Sequence, residues 1–205
     1  MEGVKTFAAE APEKINLLFE QKIEGLQKQQ KDYQDILEQL RQAQPVGLMP
    51  PKFQLFEGQD GVRHILKDML LYRNLETQAF WPIKAMVDML SPDFFRYLNK
   101  ERIKNHVYTR AIWPREQVVD VATHPYLGAG EGFLREIRVA PEGVAFSMGY
   151  WIYGSKVAFI SSRKESFGFI LESAELVEML RAQFEVLWQL STVLNTKSEK
   201  TEAFL

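Results

Sequence analysis

Residues 12 to 44 read as one long helix, and a helix of that length cannot bury its own apolar stripe. The run is built from Gln, Lys, Glu and Leu, which are good helix formers, and Pro12 suits a first helical turn. Its bulky residues fall on a 3-4 ladder at Phe19, Leu26, Tyr33, Ile36 and Leu40, with Lys22 and Gln29 filling two further rungs. A helix over this span is about 50 Å long, well beyond an ordinary core helix. Heptad spacing sustained this far predicts a partner helix, most simply a second copy of the same chain. The alternative is a surface helix folded back on its own domain. Gly25, in the middle of the run, costs the helix about 1 kcal/mol relative to Ala.

The segment PVGLMPP, at Pro45 to Pro51, ends the helical pattern and reads as a hinge. Beyond it the periodicity changes. KFQLFEG and TQAFWP are short strand patterns, separated by the amphipathic helix GVRHILKDMLLY. Residues 83–90 and 92–105 read as helices broken at Ser91-Pro92, a natural N-cap and first-turn pair. HVYTRAIWP is a third strand. A short helix around Glu116–Val121 and the glycine-rich stretch LGAGEG follow, the latter a linker or a flap. FLREIRVAP, VAFSMGYWIYG, SKVAFISS and SFGFILES then read as successive strands, with a hairpin at Gly154-Ser155. Ala174 to Leu194 is an amphipathic helix, and the polar tail is expected to fray. Alternating elements followed by a meander predict an α/β fold with a mixed β-sheet flanked by helices, preceded by the coiled-coil-like helix. The division expected is 1–44 helix, 45–195 α/β domain and 196–205 tail.

Composition narrows the function. The chain of 205 residues carries a net charge of -2 and no cysteine. Disulfides, thiolate nucleophiles and zinc–cysteine sites are excluded, and bulk charge gives no attraction for nucleic acid. His64, His106 and His124 stand without companion metal ligands, so no metal and no cofactor are expected. HExxH, phosphate-loop, GxSxG and GxGxxG motifs are all missing. No secretory leader and no membrane span can be read, and the cytoplasm is the expected location. Arg96, Lys100, Arg102, Lys104, Arg110 and Arg115 face only Glu101 over residues 96–115, which reads as a solvated basic face or an anion-attracting one.

One pocket can be drawn. Trp81 and Trp113 each close a strand, Arg110 sits inside the third strand pattern, and Glu57-Gly58 closes the first. If these strands run parallel, their carboxyl ends share one crevice, where open α/β sheets bind ligands. Two indoles, a carboxylate and an arginine suit a small polar ring such as a sugar. The competing reading makes both tryptophans core plugs.

The order of PEKINLLFEQK, ILEQL, PPKFQLFEGQDGVRHILKDML, ERIKNHVYTRAIWP, FLREIRVAP, WIYGSKVAFISS and FGFILESAELVEMLRAQFEVLW resembles the C-terminal region of TrmB-type transcriptional regulators, across residues 7 to 190. The resemblance implies a dimerising helix and an effector-binding domain with a phospholipase D-like fold. It also implies a winged-helix DNA reader, which this sequence is expected to lack, so no direct DNA binding is expected of this chain alone. Phospholipase D chemistry needs His-x-Lys-x-x-x-x-Asp, the His attacking phosphorus and the Lys neutralising phosphate. With Tyr153 in the Asp slot, Phe146 and Met148 occupy the other two, and no histidine elsewhere has the pattern. The expectation is therefore a non-enzymatic homodimer that senses a small molecule. Two alternatives stay open: a phosphodiesterase with an unrecognised site, and a reader-less partner that pairs with full-length regulators.

Overall fold

The computed structural model describes residues 14–42, 50–161 and 164–194. The chain divides into two compact units, residues 1–49 and 50–205.

In the first unit, α1 runs from Lys14 to Gln42. Phe19, Leu26, Tyr33 and Ile36 are all exposed, at 63, 59, 59 and 51%. Leu17, Leu18 and Ile23 add to the uncovered apolar surface of its first half. The side chain of Leu40, the hinge at 45–49, the ends expected at 12 and 44, and the polar tail lie outside the described residues.

The second unit is an eight-stranded mixed sheet. Its strands are β1 (Lys52–Glu57), β2 (Leu75–Phe80), β3 (Val107–Trp113), β4 (Arg135–Val139), β5 (Gly149–Tyr153), β6 (Lys156–Ile160), β7 (Phe167–Glu172) and β8 (Thr192–Val193). They lie in the order β1-β7-β6-β5-β2-β3-β4-β8. β2, β3 and β4 pair in parallel, and every other pairing is antiparallel. α2 (Gly58–Asp68) joins β1 to β2, α3 (Ile83–Met89) and α4 (Pro92–Lys104) form the crossover from β2 to β3, and α5 (Ala174–Leu190) follows the meander.

Alternation along each strand sends neighbours to opposite faces. Ala79, Trp81, Ala111, Trp113 and Trp151 join a core with α2, α3 and α4. Phe80 and Ile112 face the other way and pack with Phe184 and Trp188 of α5. Ile152 and Val157 meet Val177 and Leu180 on that same side. Because both faces are covered at its centre, β2 is buried over its last four residues, polar Thr77 and Gln78 included.

Local chemistry explains the element ends. Ser91 caps α4, its Oγ accepting from the Phe94 amide at 3.3 Å, with Pro92 in the first turn. Gly154 turns the β5–β6 hairpin with φ 55°.

Three expectations need correction. The helix around Glu116–Val121 is one 3-10 turn, Arg115–Gln117, because Val118, Val119 and Val121 pack individually against the core rather than along one helical stripe. The last helix stops at Leu190, where the Ser191 Oγ donates back to the Leu187 carbonyl at 2.7 Å. The β-branched Thr192 and Val193 then extend β4 as an edge strand, a pairing that periodicity within the helix does not reveal. The LGAGEG stretch is more structured than a linker: it runs from the end of one 3-10 turn, Pro125–Leu127, to the start of another, Glu131–Phe133, its Leu127 is buried, and Gly130 bridges to Arg135.

Candidate functional site

The strongest candidate is a cavity of about 40 Å3 at the carboxyl ends of β2 and β3, under α4. Ala79 and Trp81 from β2 and its end, Ala111 and Trp113 from β3, and Trp151 from β5 form its apolar wall on the sheet side. Phe95 and Leu98 of α4 and Leu127 of the glycine-rich loop close the opposite side. Three polar side chains enter this wall: Asn99, Thr109 and Arg135.

Each polar group is placed by its element. Thr109 and Arg135 fall on inward positions of adjacent strands and are register partners. The Thr109 hydroxyl shares a hydrogen bond with Thr77 at 3.0 Å. Asn99 projects from α4, donates to the Tyr126 carbonyl at 2.9 Å and accepts from Arg135. Arg135 also donates to the Gly128 carbonyl at 3.3 Å, which ties the loop down over the cavity. Burial lowers the Arg135 guanidinium to about 10.

A second arginine lies behind it. Arg102, in the last turn of α4, has no exposed surface and donates to the carbonyls of Val107, Phe133 and Leu134. Its Nε has no partner. Burial, and secondly the charge of Arg135, hold its pKa well below the ordinary arginine range. No carboxylate pairs with either guanidinium among the described residues.

The five residues singled out from the sequence are not brought together. Trp81 and Trp113 do line the cavity. Arg110 points to the other face of the sheet, since it stands an odd number of residues from Trp113. There it binds Glu185 of α5 with two hydrogen bonds, of 2.6 and 2.8 Å. The direct bonds from Glu185 raise the Arg110 pKa. Glu57 and Gly58 end a strand of the same direction, but β7, β6 and β5 separate it from β2, a distance of about 20 Å across the sheet. Glu57 is exposed, and Gly58, with φ 70°, starts α2. Arg135 and Asn99 were missed. The inward phase of REIRV marks Arg135 once Ile137 is known to be core, whereas nothing in the helical pattern separates Asn99 from a solvated residue.

The basic run at 96–115 is likewise divided. Arg96 pairs with Asp93 at 2.8 Å and Lys104 with Glu101 at 3.6 Å, Arg102 is buried, and Arg110 holds Glu185. It is not one solvated face.

The expected His, Lys and Asp slots of phospholipase D chemistry, Phe146, Met148 and Tyr153, run from a loop to the end of β5. Phe146 lies edge-on to Phe80, with ring centroids 4.7 Å apart. Tyr153 is buried and donates to Asp68 at 2.9 Å, and Lys156 binds the same oxygen at 2.9 Å. Burial first, then Asp68, raises the Tyr153 pKa, so the phenol stays protonated. Among the described residues no group of three or more His, Cys, Asp or Glu could hold a metal ion.

The fold is similar to that of solved structures. NucT from Helicobacter pylori matches with a TM-score of 0.52 at 8% identity, over 71% of this chain and 100% of that one. Nuc from Salmonella typhimurium, a phospholipase D family member, matches with a TM-score of 0.50 at 10% identity, over 72% of this chain and 100% of that one. The fold is phospholipase D-like. TrmBL2, an archaeal chromatin protein, also matches, with a TM-score of 0.51 at 14% identity, over 88% of this chain and 68% of that one. No family model matches the chain. No curated protein matches it either. In this phospholipase D-like body the polar cavity and Phe146 lie on opposite faces of the sheet, the cavity under α4 and Phe146 against Phe80 of the cluster beneath α5.

Proposed function

We propose that this chain is a non-catalytic regulatory module of the TrmB type: a phospholipase D-like body that responds to a small ligand and pairs with a second copy through α1. The observation that carries the reading is the replacement of the nucleophile and phosphate-binding positions by Phe146 and Met148. The Asp slot, Tyr153, is a buried phenol engaged with Asp68. A phosphodiester meets no attacking group there.

Two further features support it. The likeness to TrmBL2 extends over 88% of the chain, more than the second unit alone supplies, so it takes in part of the α1 region. The nuclease likenesses, at 72 and 71%, do not require that region. The cavity, meanwhile, holds buried polar groups with no catalytic partner, which suits recognition rather than turnover. The DNA binding described for TrmBL2 is not carried over to these residues. The net charge is -2, and half of the basic run is paired with carboxylates.

The test is hydrolysis of bis(p-nitrophenyl) phosphate by the full chain, with and without divalent metal ions. The expected result is no turnover above buffer. Turnover that disappears in His64→Ala, His106→Ala or His124→Ala would establish a hidden nucleophile and defeat the reading.

A further inference from the structure

The cavity surrounds an electrostatic imbalance. Arg135 and Arg102 are both buried, and each finds only neutral acceptors: the Gly128 carbonyl and Asn99 for one, three backbone carbonyls for the other. A buried charge without a counter-charge is expensive, since carbonyl dipoles replace only part of its hydration. Two like charges set close together add repulsion in a medium that screens it poorly. Nothing in the described protein balances them. In the same wall the indole of Trp151, with 7% of its surface exposed, has an Nε1–H with no acceptor. Buried indole N–H groups ordinarily find one.

The three facts share one remedy. An anion in the cavity would accept from Trp151 Nε1 and from the guanidinium of Arg135, and the rotatable Thr109 hydroxyl could turn toward it. Size limits the choice. At about 40 Å3 the space holds little more than one water, far below the roughly 300 Å3 from which small-molecule pockets begin. A sugar ring does not fit it, and a tetrahedral dianion is also too large.

We infer that this cavity, lined by Arg135, Thr109 and Trp151, is a site for a small monoanion, a halide or an anion the size of formate. The inference rests on the ligand-responsive reading above and gives the ligand its chemical class. Occupancy would tighten the guanidinium that ties the 127–134 loop over the α4 side of the sheet.

The experiment compares the full chain in sodium bromide, sodium formate and sodium sulfate at matched ionic strength, reading thermal midpoint and tryptophan emission. Bromide quenches indoles it touches, and Trp81, Trp113 and Trp151 all line the cavity. The expected result is a saturable rise in midpoint with bromide and formate, a saturable bromide quench, and neither with sulfate. Arg135→Met should abolish the response. Trp151→Phe keeps the ring packing and removes only the N–H, so it serves if Arg135→Met does not fold. It should weaken the apparent affinity about tenfold, the loss of one charge-assisted hydrogen bond. Equal responses to all three salts, or a Trp151→Phe protein that responds like the parent, would overturn the assignment. Such a failure without phosphodiester turnover removes the anion and leaves the regulatory reading, whereas turnover defeats the reading itself.

Discussion

Arg110 of β3 and Glu185 of α5 clasp one another through paired hydrogen bonds of 2.6 and 2.8 Å, on the face of the sheet opposite the cavity under α4. The Arg110 guanidinium lies 4.4 Å from the centre of the Trp188 ring, and Gln78 donates to the same carboxylate at 2.7 Å. One glutamate thus joins β2 and β3 to α5. Glu185→Ala should destabilise the protein by about 1–2 kcal/mol, because Glu76, at 3.5 Å, takes up only part of the arginine's demand and the pair is partly solvated. Urea unfolding of the two proteins measures this.

The same pair sets an acid limb. The hydrogen bond from Arg110 lowers the Glu185 pKa in the folded state. The unfolded chain therefore takes up a proton first as pH falls, so stability from this pair is full above the ordinary glutamate range and is lost as pH drops through the lowered value. Stability measured between pH 6 and pH 3 should fall less steeply in Glu185→Gln than in the parent.

Gly128 is packed against the Phe133 ring so closely that a methyl group there would meet ring carbons at 2.4 Å. Phe133 is itself buried and has nowhere to retreat. Gly128→Ala should cost about 1–3 kcal/mol by overpacking and should loosen the loop that Arg135 holds. Thermal melts, with limited proteolysis to map the cleavage position, test both parts.

The exposed stripe of α1 predicts association. Leu26→Glu and Tyr33→Glu place charges in it. Sedimentation should give a dimer for the parent chain and a monomer for the double variant, with unchanged near-ultraviolet circular dichroism. A monomeric parent would contradict pairing through α1.

Much of the fold was legible because each element announces itself by period. The inward phases of GVRHILKD and AELVEMLRAQF are read from spacing alone, and Val62, Ile65, Val177 and Phe184 are buried as those phases require. The pocket was less legible. Trp81 and Trp113 sit where strand ends predict, but Arg110 stands in the alternate phase of β3 and faces the other way. The place of Glu57 depends on a strand order that no local signal supplies, since β1 reaches its position beside β7 only through long-range pairing. Arg102 looked like one member of a solvated charge run. Its burial follows from the loop at 127–134 folding back over the end of α4, which no helical pattern encodes.

The central claim is that the cavity beneath α4 is where this body senses its ligand. Hydrogen exchange at the backbone amides of the loop tests it most directly. The Gly130 amide donates to the Arg135 carbonyl at 2.7 Å, and the Phe133 and Leu134 amides close the turn that follows. Exchange measured with and without saturating bromide should slow at these amides and stay unchanged in β1 and β7. Slowing spread evenly over the whole body, or no slowing in the loop, would contradict the account.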